Sequence, residues 1–317
     1  METIFALSVT QNASDLHLSS GENVIIRQNG QLVKIEDSAL TNQELEKKLF
    51  AILTQEQLQQ IEKHKQVDFA YHHEKFGRFR GNIFYQKRGI SACFRLIRSA
   101  IPSLEDINAP EILKKLVMKK QGLIFITGAT GCGKSTTLAA MLEHINQYQG
   151  KHILTLEDPI EFIYQNKLAL IQQREIGTHC TRFCDGLSSM LRQDPDIIML
   201  GELRDKETTA AALQAAETGH LVLATLHTNS AIQTINRIID LFPEQSKNFI
   251  SSQLASSLLA IVSQQLIMEI GGERKAIFEV LINTPAVSHL IVQGKIKQLV
   301  SLMQTGSSHG MNLIAAE

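Results

Sequence analysis

One stretch, GATGCGKST, constrains the fold of this 317-residue chain more than any other. It follows an apolar run, LIFIT, and leads into STTLAAMLEHI, which has helical periodicity. Its first eight residues match G-x4-G-K-[ST], in which the glycines let the backbone curl around a phosphate group. The motif therefore predicts a buried strand, a phosphate-binding loop and a helix in succession. The residues of the stretch are Gly128, Ala129, Thr130, Gly131, Cys132, Gly133, Lys134, Ser135 and Thr136.

The residue types in this loop indicate ATP and Mg²⁺ as ligands. Backbone N–H groups and the helix N-terminus face the β-phosphate, because both carry partial positive charge. Lys134 is placed to neutralise β- and γ-phosphate oxygens, and the Ser135 hydroxyl to help hold Mg²⁺. The alternative, a glycine-rich structural turn, does not require the lysine or the hydroxyl.

Four short apolar runs define the rest of the fold class: GLIFITG, KHILTLED, DIIMLGE and GHLVLATLH. Helical patterns separate them, and strands that are apolar on both faces indicate a parallel sheet in an α/β domain. Functional groups of such sheets gather at the carboxyl ends of the strands. From Phe249 onward we expect mostly helix, including Leu254–Met268, with one strand near KAIFEVLI.

The first third of the chain predicts a separate domain over residues 1–97 of the α+β class. Asn29-Gly30 lies between two β-rich runs, which is a strong hairpin signal. TNQELEKKLFAILTQEQLQQIEKHK has helical periodicity, and the following aromatic-rich segment alternates as strands do. Residues 98–110 contain two prolines and predict a linker to an ATPase domain over 111–317.

Acidic residues follow two of the apolar runs. Glu202 comes directly after DIIMLG and is the leading candidate for polarising the attacking water and for holding Mg²⁺ through water. Its alternative is a residue that starts a helix. Glu157, Asp158 and Glu161 follow the run HILTLE and form a second candidate group for metal and water positioning. For these the alternative is a turn and helix cap at Asp158-Pro159.

Histidines and arginines supply further candidates. His220 and His227 stand at the two ends of one apolar run, and His227 is at the carboxyl end, where a γ-phosphate would lie. Arg78 and Arg80 share one face of a strand, because strand side chains alternate. With Arg95 they are candidates for stabilising phosphate charge, or for a solvated face with surface ion pairs.

Composition excludes some functions. The formal net charge is −1, the aromatic content is 5% and there is no tryptophan. A nucleic-acid motor needs a basic surface and base-stacking platforms, so we expect no nucleic-acid partner. The N-terminus lacks signal-peptide features and no apolar run is long enough for a membrane helix, which predicts a cytoplasmic location.

An ordered series of motifs resembles the secretion ATPase superfamily, and within it the type IV pilus retraction (twitching motility) ATPases. The series is ASDLHLSSG, GRFRGNIFYQKRG, GATGCGKSTTLAAMLEHIN, HILTLEDPIEF, QQREIG, LRQDPDIIMLGELRD, AAETGHLVLATLHTNSA, RIIDLFP and MQTG. It covers almost the whole chain in the family's order and spacing.

The resemblance implies a RecA-like P-loop motor domain joined to an N-terminal PAS-like domain, assembled as a homo-hexamer. It further implies ATP hydrolysis that powers pilus retraction, peripheral association with the inner membrane at the pilus base, and a membrane platform protein as partner. A paralogous retraction ATPase is a further implied partner. Glu157–Glu161, Glu202, His220 and His227 then fall in the family's recognised motifs.

Two departures from the family's pattern are present, and the assignment has alternatives. The family's Ala-Ile-Arg motif after Thr-Pro is replaced by Ala286-Val287-Ser288-His289, and position 129 is alanine where family loops often have proline. The first departure lies in a C-terminal region that the family links to retraction and not to hydrolysis, and the loop should tolerate the second. The alternatives are a pilus-assembly or type II/IV secretion ATPase of the same superfamily, or a non-catalytic accessory ring subunit that modulates a paralogous motor.

Overall fold

The structure, a computed structural model, describes residues 1–28, 30–35, 39–97, 100–268 and 274–314. Asn29 of the expected hairpin, and Arg98 and Ser99 of the expected linker, lie outside these ranges. Within the described part of the chain, no helix combines the length and the apolar character that a bilayer-spanning segment needs.

The chain forms two compact units, and the boundary between them lies between Ala100 and Ile101. Leu104 is buried in the apolar core of the second unit, and Ile101 and Ile107 pack against that core. Residues 101–109, which the sequence analysis assigned to a linker, therefore pack with the second unit.

The first unit is built on a six-stranded antiparallel sheet with strand order β3-β2-β1-β6-β5-β4. One face carries the core, in which Phe79, Ile83 and Phe94 are at most 1% exposed. Gln28 pairs with Gln31 and Gly30 has a φ of 83°, so the described residues confirm the predicted hairpin. The strands are β1 Asp15–Ser19, β2 Ile25–Gln28, β3 Gln31–Lys34, β4 Gln66–His73, β5 Gly77–Gln86 and β6 Gly89–Ile97.

Three helices accompany this sheet: α1 Glu2–Thr10, α2 Asn42–Phe50 and α3 Gln55–His64. The single helix expected over residues 41–65 is wrong, because the segment forms α2 and α3. Thr54 interrupts the expected helix because it is the N-cap of α3. The Thr54 side chain accepts from the Gln57 N–H, and the Gln57 side chain accepts from the Thr54 N–H. This reciprocal capping satisfies the free N–H groups of a new helix start.

The second unit contains a seven-stranded sheet with strand order β13-β12-β7-β11-β10-β8-β9. Every neighbouring pair is parallel except β12 with β13, which is antiparallel. The strands are β7 Gly122–Thr127, β8 His152–Glu157, β9 Leu170–Glu175, β10 Ile197–Leu200, β11 Leu221–Leu226, β12 Leu258–Met268 and β13 Arg274–Ile282.

Both faces of this sheet are buried, as the four apolar runs predicted. In β7, Leu123 and Phe125 join one apolar core, and Ile124 and Ile126 join the other. The predicted α/β class with a parallel sheet is therefore confirmed. The helices are α4 Ile112–Val117, α5 Lys134–Tyr148, α6 Phe183–Met190, α7 Lys206–Glu217, α8 Ala231–Asp240, α9 Glu244–Ser257, α10 Pro285–Val292 and α11 Leu299–Thr305, with 3₁₀ turns at Ile296–Gln298 and Ser307–His309.

The helix expected over Leu254–Met268 is wrong. α9 ends at Ser257, and the rest of that segment forms β12, inserted between β7 and β13. A short apolar run fits a buried helix or a buried strand equally well by periodicity. Pairing with β7 on one side and β13 on the other satisfies the backbone of this run, and this pairing decides the outcome.

Candidate nucleotide-binding and catalytic site

The phosphate-binding loop connects β7 to α5, as predicted. Gly128 has a φ of 146° and Gly133 a φ of 93°, a region of backbone conformation that favours glycine. A Cβ atom on Gly128 would lie 2.3 Å from the carbonyl oxygen of Gln264, so this glycine is also required by close packing against β12. The loop backbone therefore packs against β12, and α5 begins where the loop ends.

Lys134 is the first residue of α5 and is only 8% exposed. Its ammonium donates hydrogen bonds to the carbonyl oxygens of Gly128 at 2.7 Å and Ala129 at 3.0 Å. Burial lowers the pKa of this ammonium, and the charges of Glu202 and Glu161 oppose that effect. A buried cation is therefore held at the centre of the loop, beside carboxylates.

Glu202 lies two residues beyond the end of β10 and is brought to the phosphate loop. Its Oε1 is 3.3 Å from His227 Nε2, and its Oε2 accepts a hydrogen bond of 2.8 Å from Arg204 Nε. The alternative assignment of Glu202 to a helix start is wrong, because α7 begins at Lys206 and is capped by Asp205.

His227 follows the carboxyl end of β11 and connects Glu202 to the loop. Its Nδ1 is 3.4 Å from the Thr130 hydroxyl and 3.5 Å from Lys134 Nζ. Its Nε2 faces the Glu202 carboxylate at 3.3 Å, so the ring contacts both the loop and Glu202. The imidazole thus links the loop lysine to the carboxylate at the end of the neighbouring strand.

Arg204 was not singled out by the sequence analysis. It donates to Glu202 through Nε and to Asp158 Oδ2 through NH1, the latter at 3.3 Å. It therefore joins the end of β10 to the acidic residues after β8. The only sequence feature that could have indicated Arg204 is its position two residues after Glu202. An ordinary charged surface residue can occupy the same position, so this feature does not identify a site residue.

Glu157, the last residue of β8, is 7% exposed, and burial raises its pKa to about 7. Its carboxylate accepts hydrogen bonds from the Thr155 hydroxyl at 2.6 Å and the Gln173 amide at 3.1 Å. No helix begins within residues 158–169, so the alternative of a helix cap at Asp158 is wrong.

The pKa of Glu157 predicts a pH-dependent stability. Folded Glu157 keeps its proton up to about pH 7, whereas the unfolded chain releases it near the ordinary value of 4.5. The folded state binds more protons in this window, so raising the pH destabilises it. Relative to Glu157→Gln, the wild-type free energy of unfolding should fall by about 2–3 kcal/mol between pH 5 and pH 8.

Urea unfolding of both proteins at pH 5, 6.5 and 8 measures this difference. Glu207→Gln, at an exposed glutamate of α7, is the matched control and should run parallel to the wild type. A Glu157→Gln difference that is constant with pH would show that Glu157 titrates normally.

His220 is not brought to this group. It precedes β11 at its amino end, about 20 Å along the strand from His227. Its Nδ1 lies 3.0 Å from the carbonyl oxygen of Ala215, near the end of α7. Within the second unit, His220 therefore closes a helix-to-strand turn, and a catalytic role for it stays a prediction.

The three candidate arginines lie in the first unit. Arg80 pairs directly with Arg95 across β5 and β6, which places both on the face opposite Phe79. Arg95 Nε donates to Asp15 at 2.9 Å, across to β1. Arg78 and Arg80 both lie in β5, on either side of the buried Phe79, so their predicted common face is confirmed. The role of the three arginines at a phosphate stays a prediction.

Gln264 of β12 is a site residue that the sequence analysis missed. Its side chain accepts from the Thr137 hydroxyl at 2.7 Å and donates to the carbonyl of Cys132 at 2.8 Å. It thereby fastens the phosphate loop and α5 to β12. It is separated from the motif by more than a hundred residues, so no local pattern could have indicated it.

A family model described as type II/IV secretion system protein matches residues 2–309. The uncharacterized protein YggR of Escherichia coli strain K12 is 50% identical over 311 residues, covering 98% of this chain and 94% of that protein. The type IV pilus retraction ATPase PilT of Pseudomonas aeruginosa is 44% identical, covering 98% of this chain and 90% of that protein.

A solved structure of a retraction motor is also similar to this chain. The crystal structure of the pilus retraction motor PilT with bound ADP superposes with a TM-score of 0.91 and 41% identity, covering 95% of this chain and 88% of that one. This agreement confirms the RecA-like fold of the second unit, preceded by an N-terminal domain. From the family match, the identities and this superposition together, the chain belongs to the type II/IV secretion system protein family and, within it, to the PilT-like ATPases.

Proposed function

We propose that this protein is a Mg²⁺-dependent ATPase that powers retraction of a type IV pilus. The observation that carries the proposal is the linked set Lys134, His227 and Glu202 at the carboxyl ends of adjacent strands. Lys134 Nζ lies 3.5 Å from His227 Nδ1, and His227 Nε2 lies 3.3 Å from Glu202 Oε1. The similarity to proteins named as retraction ATPases supports the assignment of the work that hydrolysis does.

The phosphate loop supplies the electrostatic part of catalysis. Lys134 exchanges its hydrogen bonds to the loop carbonyls for contacts to β- and γ-phosphate oxygens. Backbone N–H groups of Gly128–Gly133 and the N-terminus of α5 add partial positive charge at the β-phosphate. These groups are in place before reaction, so charge that develops in the transition state is stabilised without reorganisation.

Glu202 supplies the proton chemistry. Its carboxylate orients the attacking water and accepts its proton. Arg204 Nε donates to one carboxylate oxygen at 2.8 Å, and His227 Nε2 lies 3.3 Å from the other. When a γ-phosphate is present, the Nδ1 side of His227 lies beside it. Presence or loss of this phosphate therefore changes the position of the imidazole, which contacts Glu202 through its other side.

The residues present fit Mg²⁺ held mainly by phosphates and water. Among the described residues, no three histidine, cysteine or acidic side chains form a cluster able to hold a metal alone. Mg²⁺ characteristically keeps several waters and uses one or two protein ligands. Ser135 would bind it directly and Glu202 through water, with Glu157, Asp158 and Glu161 ordering the waters around it. When bound, the ion would supply positive charge that neutralises phosphate oxygens.

Assembly and partners complete the proposal. The protein acts as a homo-hexamer at the inner-membrane base of the pilus, peripherally associated and in contact with a membrane platform protein. A paralogous retraction ATPase is a further partner. Arg78, Arg80 and Arg95 stabilise phosphate charge at the nucleotide. The similarity to PilU of Pseudomonas aeruginosa, 39% identical over 311 residues, supports the existence of such a paralogue family.

Deletion of the gene in its host tests the proposal. Loss of a retraction motor should leave pili present or in excess while twitching motility is lost. Electron microscopy counts the pili, and a subsurface agar assay measures twitching. The wild-type gene supplied on a plasmid should restore motility, and a Glu202→Gln gene should not.

Two other outcomes would replace the proposal. If deletion abolishes pili, the protein is an assembly or secretion ATPase. If the purified protein binds ATP without Mg²⁺-dependent turnover, and Glu202→Gln restores motility as well as the wild type, it is an accessory ring subunit.

A further inference from the structure

Glu279 of β13 contacts the start of α8, the helix that follows His227 in the chain. Its Oε1 accepts a hydrogen bond of 2.8 Å from the backbone N–H of Ala231, the first residue of α8. Glu279 is half-buried. Burial raises the pKa of its carboxyl, and the hydrogen bond from Ala231 opposes that rise. A partly buried carboxylate costs free energy of solvation, so its contact with Ala231 calls for an explanation.

Strand register places Glu279 level with the start of the phosphate loop. Thr127, the last residue of β7, pairs with Ser263 of β12, and Ser263 also pairs with Glu279. Directly paired residues share one face of a sheet, and the Thr127 and Ser263 hydroxyls are 2.9 Å apart on that face. Phe125 of β7 lies on the same face and belongs to the apolar core that includes Ile235 of α8. α8 therefore packs on the face from which Glu279 projects.

Glu279 and Ser230 together cap α8. The first N–H groups of a helix have no acceptor within the helix. The Ser230 side chain accepts from the Gln233 N–H, and Glu279 accepts from the Ala231 N–H. A negative charge at this end also interacts favourably with the helix dipole. Removal of Glu279 therefore leaves the start of α8 less firmly held.

The segment between His227 and α8 is attached to that helix by its side chains and backbone. Thr228 Oγ1 lies 2.7 Å from Thr234 Oγ1, and the Asn229 N–H donates to Gln233 Oε1 at 3.1 Å. The position of the first turn of α8 therefore sets the position of the segment that begins with His227.

We propose that Glu279 is a positioning residue: by fixing the start of α8, its carboxylate holds His227 where a γ-phosphate lies beside the imidazole. The inference rests on the proposed function, because that function places the γ-phosphate at His227. Two strands, β12 and β7, separate β13 from β11, so Glu279 acts on His227 through α8. Loss of the contact should weaken binding of a nucleotide that carries a γ-phosphate and leave binding of MgADP as it is.

Calorimetric titration with two ligands tests this assignment. MgADP lacks the γ-phosphate, and the Mg²⁺ complex of β,γ-imido-ATP carries it without being hydrolysed. The measured quantity is the ratio of the two affinities. Glu279→Ala should lower the affinity for the imido analogue about tenfold relative to MgADP, the size expected for loss of one charge-assisted hydrogen bond. Glu279→Gln keeps a carbonyl oxygen that accepts from Ala231 and should keep most of the wild-type ratio.

Ala231→Pro removes the donor and leaves Glu279 in place. Proline has no N–H and is favoured at the first position of a helix. Ser230 has a φ of −153° and a ψ of 161°, the extended conformation that a residue before proline adopts. This variant should show the same selective loss, and it tests the inference independently if Glu279→Ala does not fold. Thr284→Ala is the matched control, because it removes the capping side chain of α10 and should leave the ratio unchanged.

A double-mutant cycle shows whether the effect passes through His227. His227→Ala should itself reduce the preference for the imido analogue, and addition of Glu279→Ala should reduce it no further. Three results would overturn the inference: a wild-type ratio in folded Glu279→Ala or Ala231→Pro, equal losses for both ligands, or additive losses in the double mutant. If His227→Ala keeps the wild-type ratio, the γ-phosphate contact of the proposed function is wrong, and the inference falls with it. Circular dichroism of each variant verifies that it is folded.

Discussion

A Lys134→Ala protein should hydrolyse ATP roughly 10²–10³ times more slowly than the wild type, the loss that follows removal of one preorganised charge-stabilising donor. Binding of MgATP should weaken as well, because Lys134 contacts phosphates in both the ground state and the transition state. Steady-state phosphate release and equilibrium titration with a non-hydrolysable ATP analogue measure the two effects.

The control for this variant is Lys120→Ala, at an exposed lysine just before β7. It removes the same charge without touching the loop and should leave both measurements unchanged. Removal of Lys134 takes away its two hydrogen bonds to the Gly128 and Ala129 carbonyls, so circular dichroism must verify folding. A folded Lys134→Ala protein with wild-type turnover would mean that hydrolysis occurs without this loop.

Glu202→Gln should separate catalysis from binding. Glutamine keeps the size of the side chain and its carbonyl oxygen, but it cannot accept a proton from water. Turnover should fall roughly 10²–10⁴-fold, the usual contribution of a general base. Affinity for MgATP should change much less than in Lys134→Ala, because Lys134 and the loop remain intact.

Pre-steady-state and steady-state phosphate release with Glu202→Gln measure the chemical step, and titration of an ATP analogue measures affinity. Glu207→Gln removes an exposed carboxylate five residues away and serves as the matched control. Turnover of Glu202→Gln within a few-fold of the wild type would show that the general base is one of the acidic residues at or just after the end of β8. Glu157→Gln and Glu161→Gln would then be compared in the same assay.

The loop and its adjacent strand and helix were predictable because their determinants are local. Glycines with positive φ, an apolar run and helix-forming residues all act within a few positions of one another. Placement of Glu202 and His227 at one edge was also predictable, because carboxyl ends of parallel strands meet there. His220 precedes its strand, so the same argument predicts that it lies at the opposite edge of the sheet, and the structure places it there.

Contacts between distant segments were not predictable in the same way. Arg204 reaches Asp158 across 46 positions, and Gln264 reaches Cys132 across 132 positions. The β12 segment carries no periodicity that separates strand from helix. Its conformation follows from the unpaired edge of β7, which offers backbone hydrogen bonds that only a strand satisfies.

The sequence by itself determined the phosphate-binding loop, the α/β class and the residue types at the strand ends, because backbone preferences and hydrophobic periodicity act over short distances. Only the tertiary structure decided that Lys134, His227, Glu202, Arg204 and Asp158 form one connected group, and that Glu279 of β13 contacts the start of α8. Those outcomes depend on strand order and register, which set which distant side chains meet.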